Sequence, residues 1–414
     1  MPWAKLFIED LNLAGKRVLM RVDFNVPVKG GVVENDKRIR ESLRSIKYVL
    51  DKGGSLVLMS HLGRPDGKRV EKHSLKPVAG KLSELLGRPV TFLDDCVGPA
   101  VESACAALKP GQVILLENLR FHIEEEGKIK NKDGTSVKAE PAAVEAFRAS
   151  LTRLGDVFVN DAFGTAHRAH SSVVGVNLPR ASGYLLKKEL DFLGSALDQP
   201  KRPFVAIIGG SKISGKIDVI NALLPKVDHL LIGGGMAYTF LKSQGIQIGK
   251  SLCEEDKVAL AGELMAKAGG KLVLPVDFLV TTSLDFDNRK LGTPPVAVDQ
   301  KGIPADMNSV DVGPKTVELY GKLIREAGTV VWNGPMGVFE IAESAQGTFG
   351  VARALADATA KGAITVIGGG DSATAIEVAG LETRVSHVST GGGASLEFLE
   401  GKALPGVTAL SDKA

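Results

Sequence analysis

The chain has 414 residues, 44% apolar and 24% charged, which makes it globular and long enough for two domains, or three, each with its own core. A net charge of +3 at pH 7 gives no reason to expect a nucleic acid or a membrane as partner, and no run reaches the ~18 apolar residues that span a bilayer. Cys96, Cys105 and Cys253 form no CxxC pair and no metal spacing, and MPWAKLFIED lacks a signal-peptide core; small buried thiols in a cytoplasmic protein are expected.

Short β-branched runs alternate with stretches of helical period. RVLMRV (17–22) is followed by the helix-like ESLRSIKYVLDKG (41–53), then SLVLMS (55–60), KPVAGKLSELLG (76–87), QVILLE (112–117) and DVFVND (156–161). A second set comprises FVAIIG (204–209), HLLIGG (229–234), KLVLPV (271–276), TVVWNG (329–334) and AITVIG (363–368). These runs are apolar throughout rather than alternating, which predicts an α/β protein whose parallel, Rossmann-like sheets are covered by helices on both faces. Between the sets, Lys187 to Leu197 has helical spacing and Gln199, Pro200 and Pro203 mark its exit. Domains at 1–186 and 201–403 should therefore be joined by a helix within 187–200.

In open parallel sheets, ligands bind beyond the carboxyl ends of the strands. In the first half those ends carry Arg21, His61, Arg64, Arg120, His167, Arg168 and His170, with Arg38 nearby in the loop NDKRIR. Cations gathered in one place repel one another unless an anion fills the gap, and Arg forks suit phosphate and carboxylate oxygens. Asp23 and Asn25 stand beside them and could orient a hydroxyl, so a small, multiply anionic, hydroxylated ligand is implied. HRAH has no cysteine and few acidic partners to make it a metal pair. The run Glu124-Glu125-Glu126 reads as a solvated loop.

The second half presents bare backbone at the same places, in keeping with 48 glycines against an ordinary share of roughly 30. VAIIGGSKISGKIDVI (205–220) completes G-x-x-x-x-G-K from Gly210 to Lys216, but Ile217 stands where a P-loop needs Ser or Thr. It reads as a different phosphate loop: Lys212 and Lys216 supply charge, Ile217 faces the core, and magnesium is held elsewhere by Asp371. Gly233-Gly234-Gly235 could admit a flat ring or merely make a tight turn. In IGGGDSATAIEVAG (367–380), Asp371 or Ser372 could cap a helix whose free N–H groups favour phosphate. WNGPMGVFE (332–340) places Glu340 for a ribose hydroxyl. A nicotinamide-dependent dehydrogenase would also use Gly-rich strand ends, but no stretch gives G-x-G-x-x-G with an acidic residue ~20 positions later. A non-catalytic phosphometabolite-binding protein would keep the arginines without the lysine loop and the Asp371 turn.

Taken in order, RVDFNVP, SHLGRP, ENLRF, NDAFGTAHRAHSS, LPVDF, VWNGPMGVFE, IGGGDSAT and VSHVSTGGGASLEFLEGKALPGV resemble phosphoglycerate kinase from Arg21 to Val407, nearly the whole chain. The resemblance implies two similar-sized domains in a monomer that moves a phosphoryl group between 1,3-bisphosphoglycerate and MgADP, giving 3-phosphoglycerate and MgATP. It implies that the N-terminal domain holds the phosphoglycerate. Asp23 and Asn25 would take its hydroxyl side and Arg38, His61, Arg64, Arg120 and Arg168 its phosphate and carboxylate, with Phe24, Leu62 and Gly63 in the same set. The C-terminal domain would hold Mg-nucleotide: Gly234, Gly235, Ser309 and Val310 at the adenine, Glu340 at the ribose, and Lys212, Lys216, Gly369, Gly370, Asp371 and Ser372 around the phosphates, with Asp371 on the metal and Asn333 in the same nucleotide set. Residues 404–414 would fold back onto the first domain. Three positions depart from the family pattern: Gly215 where Asp is usual, Ser372 for the commoner Thr, and Ser309 for a glycine near the base.

The acceptor carboxylate is already ionised at neutral pH, so such a reaction needs no general base. Arg38 and Lys216 are the catalytic candidates, meeting at the transferring group when the domains close about the 187–197 helix.

Overall fold

Along strand Arg17–Arg21, Val18 and Met20 enter one hydrophobic cluster and Leu19 enters another. Strand Ser55–Met59 divides the same way, Leu56 and Leu58 against Val57 and Met59. This is the two-residue period of a strand buried on both faces. One face is covered by helices Lys37–Asp51 and Lys76–Leu86 through Ile46, Val49, Val78 and Leu82; the other by Pro99–Ala106 and Pro141–Thr152 through Val101, Cys105, Phe147 and Leu151. The runs are continuously apolar because each strand serves two cores.

The computed structural model describes residues 5–413. They contain two six-stranded sheets. The first runs, edge to edge, Arg180–Ser182, Val157–Asn160, Arg17–Arg21, Ser55–Met59, Val113–Leu116, Thr91–Leu93, all parallel. The second runs Leu272–Val273, His229–Ile232, Phe204–Ile208, Thr329–Asn333, Ile364–Gly368, His387–Val388, also all parallel. The chain forms two compact units, one of residues up to Leu190 together with those from Ala403 onward, the other Asp191–Lys402. Within the first unit the C-terminal segment is tied down by Gly406 N–H donating to Ala166 O and Ser411 N–H to Arg180 O.

Several elements differ from the sequence expectation. Helix Lys37–Asp51 starts four residues early and takes in Arg38, because Asp36 serves as its cap residue and Asn35 Oδ1 accepts from Lys37 N–H. KLVLPV splits at Pro275, which has no N–H for a ladder; after it, Asp277–Thr281 enters a separate antiparallel sheet with Val296–Asp299 and Asn308–Val312. The short edge strands Thr91–Leu93 and Arg180–Ser182 had no sequence signal. The Glu124–Glu126 run is not a solvated loop: it lies in helix Ile123–Glu126, with Glu125 only 1% exposed.

Helix Tyr184–Asp198, which runs from the first unit into the second, is rooted on Asp161. Asp161 Oδ1 accepts from the N–H groups of Leu185 (2.8 Å) and Leu186 (3.2 Å), and a Cβ on Gly183 would collide with the same carboxylate. Burial pushes Asp161 up to about 6 despite those bonds. A raised carboxyl contributes its stability below the unfolded value and loses it as pH rises through the folded one. Asp161→Asn keeps the acceptor without the charge. It should flatten the pH dependence of stability between about pH 4 and 6 and gain on the parent above it, by about 3 kcal/mol at most. Thermal unfolding across that range checks this, and equal slopes would dismiss it.

Candidate active site

In the first unit the candidate residues follow the carboxyl ends of adjacent strands. Arg38 Nη1 donates to both oxygens of Asp23 at 2.9 Å, and Asn25 Oδ1 accepts the Gly63 N–H at 2.9 Å. Arg120 Nη1 donates to Gly63 O at 3.0 Å. Gly63 has φ +63, and a Cβ there would collide with the His73 ring, so the Asn25–Gly63–Arg120 link needs glycine. Arg64 and Arg168 are exposed, with no bonded partner for either guanidinium among the described residues.

Arg21 does not join this open set. It is fully buried, donating to Val22 O (2.6 Å), Ser172 Oγ (2.9 Å) and His61 Nδ1 (3.1 Å). Burial lowers its pKa to about 10, and Glu125 and Asp23 help keep it charged. Since arginine can only donate, His61 Nδ1 accepts and its proton sits on Nε2. Burial, then the charges of Arg21 and Arg120, hold His61 well below the ordinary imidazole value, and the same causes push His170 down to about 3. Both histidines are neutral at pH 7, and their shifts show that Arg21, Arg38, Arg120 and Arg168 share one electrostatic neighbourhood.

Phe24 and Leu62 were expected at the ligand, but their side chains lie in the core, 0% and 4% exposed. Their backbone is engaged as well: Phe24 N–H donates to Ser60 Oγ, and Leu62 O accepts from Asn118 Nδ2. They shape the site from behind.

In the second unit the strand ends enclose a cavity of about 330 Å³. One wall is backbone. A Cβ on Gly234 (φ +72) would lie 2.5 Å from Gly210 O, and one on Gly235 2.9 Å from Ser211 O, so side chains there would force the strand ends apart. The other wall is apolar: Leu252, Leu284 and Phe286 line it while 48%, 37% and 56% exposed. Sequence reasoning missed these three and Tyr238. The hydroxyl of Ser309 is bound into the wall, 2.7 Å from the Tyr238 hydroxyl, which donates to it, and Val310 lines the cavity beside it. Glu340 and Asp371, both exposed, complete the lining.

Lys216 Nζ donates to Asn333 Oδ1 and lies beside Gly210. Burial lowers its pKa, opposed by the charges of Asp371 and Glu400. Lys212 is exposed and does not line the cavity. The loop is pinned at two points: Ile213 is fully buried, and Ser214 Oγ and N–H donate to Glu254 at 2.6 and 3.1 Å. Ile217, expected to be the core residue, is only half-buried, because helix Ile217–Leu223 presents Val219 and Ile220 inward. Gly215 has open space where a Cβ would stand, meeting only Lys212 O at 4.0 Å.

Neither Asp371 nor Ser372 caps helix Gly370–Val378; Gly369, at φ +94, is its cap residue. Ser372 is buried and its Oγ accepts the Gly334 N–H at 2.6 Å, fastening one turn to the next. Asp371 is left with no hydrogen bond from a described residue, on the cavity wall in the first turn of that helix. A lone exposed carboxylate suits magnesium, which takes one or two carboxylates and completes its shell with phosphate oxygens and water, while the helix N-terminus beside it suits the phosphate itself.

The family model for phosphoglycerate kinase matches residues 8–402. Curated relatives include a phosphoglycerate kinase of Yarrowia lipolytica, 56% identical over 415 residues, and phosphoglycerate kinase 1 of Homo sapiens, 55% identical over 415; each comparison covers 99% of both chains. Among solved structures, phosphoglycerate kinase from Coxiella burnetii superposes with a TM-score of 0.84 at 40% identity, and that from Pyrococcus horikoshii with 0.78 at 32%, each covering 98% of both chains. With end-to-end likeness in sequence and in fold, the chain belongs to the phosphoglycerate kinase family.

Proposed function

We infer that the protein is a phosphotransferase that moves a phosphoryl group reversibly between 1,3-bisphosphoglycerate and MgADP, giving 3-phosphoglycerate and MgATP in glycolysis and gluconeogenesis. The observation that carries this is the 55–56% identity to phosphoglycerate kinases along 99% of the chain. The two halves support it: one offers guanidinium groups suited to a small polyanion, the other a glycine-walled cavity with a lysine loop beside it. No helix among the described residues is long and apolar enough to cross a membrane. A cytoplasmic monomer completes the reading.

In this proposal residues 1–186 with 404–414 hold the phosphoglycerate and 201–403 the nucleotide. The ligand's charged ends would take Arg38, His61, Arg64, Arg120 and Arg168, and its hydroxyl Asp23 and Asn25. The adenine would lie between Gly234-Gly235 and Ser309-Val310, with Glu340 at the ribose. Asn333, Lys212, Lys216 and residues 369–372 would surround the phosphates. Magnesium bound at Asp371 would neutralise phosphate oxygens.

Reactants held on separate domains must be brought within ~3–3.5 Å, which helix Tyr184–Asp198 would permit as the hinge. The acceptor carboxylate needs no deprotonation, so catalysis rests on positioning and charge. Arg38 and Lys216 are each held by a neighbour, Asp23 and Asn333, and would be shared with the phosphoryl group in transfer. Closure would also exclude water, the competing acceptor.

Consumption of NADH through coupled glyceraldehyde-3-phosphate dehydrogenase, with MgATP and 3-phosphoglycerate supplied, tests the activity; none, with both ligands bound, would refute it. Lys216→Ala should lower turnover by about 100-fold or more, the scale of one lost transition-state donor, and a near-parental rate would remove Lys216 from the mechanism. Arg38→Ala should depress turnover while leaving ATP affinity within about twofold, well under one hydrogen bond's worth; unchanged turnover would end its proposed role. Glu254→Gln should loosen the lysine loop and raise the KM for ADP by about 2- to 10-fold, as for one hydrogen bond. Unaltered KM values would show that the Ser214 tether does not matter.

A further inference from the structure

Apart from both ligand sites, one cluster combines a nitrogen, a sulfur and an oxygen donor. Asp95 and Cys96 follow the edge strand Thr91–Leu93; His122 follows the 3-10 turn Leu119–Phe121 beyond the neighbouring strand Val113–Leu116. Parallel pairing of Phe92 with Leu115 and Leu93 with Leu116 brings the two carboxyl ends side by side. As a result the Asp95 carboxylate, Cys96 Sγ and His122 ring nitrogen all lie within 4.8 Å of one another. His122 Nε2 is 2.7 Å from Asp95 Oδ1.

We propose that Asp95, Cys96 and His122 form a binding site for a thiophilic divalent cation of the zinc class, distinct from the magnesium that accompanies the nucleotide. The donor set selects the ion. Magnesium and calcium take oxygen ligands, whereas imidazole and thiolate with a single carboxylate suit zinc and its congeners. Tetrahedral bonds of ~2.0–2.3 Å place donor atoms roughly 3.3–3.8 Å apart. The Nε2–Oδ1 pair, at 2.7 Å, must open by about 1 Å to reach that spacing, and the sulfur already lies within 4.8 Å of both. The side chains allow it: Asp95 is half-exposed, so its carboxylate can exchange the His122 bond for a cation and leave the solvent side to a water as fourth ligand. Cys96 is fully buried and supplies the dry side.

The surroundings hold the donors in place. Cys96 N–H donates to Asp95 Oδ1 at 2.7 Å, and the His122 ring packs 5.4 Å from that of Phe147. Such supporting contacts orient metal ligands. Glu125, buried three residues after His122, and Glu117 add negative potential at Cys96. Without a cation, a proton occupies the line between Nε2 and Oδ1.

Cobalt(II) is the probe. Reduced, chelator-stripped protein titrated with Co2+ should develop a sulfur-to-cobalt charge-transfer band and the strong visible absorption of a tetrahedral site, both erased by Zn2+. Cys96→Ser should abolish the charge-transfer band, while Cys105→Ser and Cys253→Ser should keep it. Asp95→Asn and His122→Gln should each weaken Co2+ binding by about 10-fold or more. Asp95 is exposed, so its variant reports even where Cys96→Ser fails to fold. The site is overturned by no charge-transfer band at all, by a band that survives Cys96→Ser or follows another cysteine, or by unchanged Co2+ affinity in both the Asp95 and His122 variants.

Discussion

The carboxyl edge of the first sheet depends on one buried negative charge, that of Glu125. It is 1% exposed, accepts from the Ser172 N–H at 3.0 Å and from the Ser172 hydroxyl at 2.5 Å, and lies 4.0 Å from His170 Nδ1. Its field favours the charged form of Arg21, and Glu126 followed by Glu125 does the same for Arg120; both guanidinium groups are desolvated. A buried guanidinium cannot shed its proton as a lysine would, so it has to be compensated in place. The histidines can, and His61 and His170 are neutral for that reason. With the inner charges settled, Arg38, Arg64 and Arg168 face outward, which is the condition for a surface that takes up a polyanion.

The second unit reaches an anion-friendly surface by another route. Its strand ends approach so closely that Gly209, Gly234 and Gly334 have backbone where a Cβ would stand. Main-chain N–H groups at the start of helix Gly370–Val378 then carry part of the job done by side chains in the first unit. Ser372 keeps this arrangement rigid by fastening the Gly334 turn to the helix. The cavity is apolar along Phe286 and carries a carboxylate at Asp371, so its two walls differ in chemistry.

Long strands were legible because burial on both faces leaves an unbroken apolar run, and most candidate site residues were picked out because they follow those runs directly. The edge strands Thr91–Leu93 and Arg180–Ser182 are too short to carry a pattern. The start of the first long helix was misplaced because its apolar period begins only at Ile39, after two basic residues. Three consecutive glutamates look solvated until tertiary packing buries the middle one. Phe24 and Leu62 share motifs with ligand-facing residues, and only the three-dimensional core shows that they point away. Leu284 and Phe286 come from a hairpin whose strands, Leu284–Asp285 and Lys290–Leu291, are too short to signal. Likewise, nothing in sequence spacing links Cys96 with His122; only the pairing of two strands does.

Gly215 departs from the family's usual aspartate at a point where the fold leaves room for any side chain. No steric rule holds a glycine there, so its effect is on the freedom of the loop. A glycine adds backbone entropy that must be surrendered when the loop settles around a phosphate, about 0.5–1 kcal/mol relative to a residue with a Cβ. Any anion that orders this loop has to meet that cost, so the glycine lowers the loop's hold on its ligand by the same small amount.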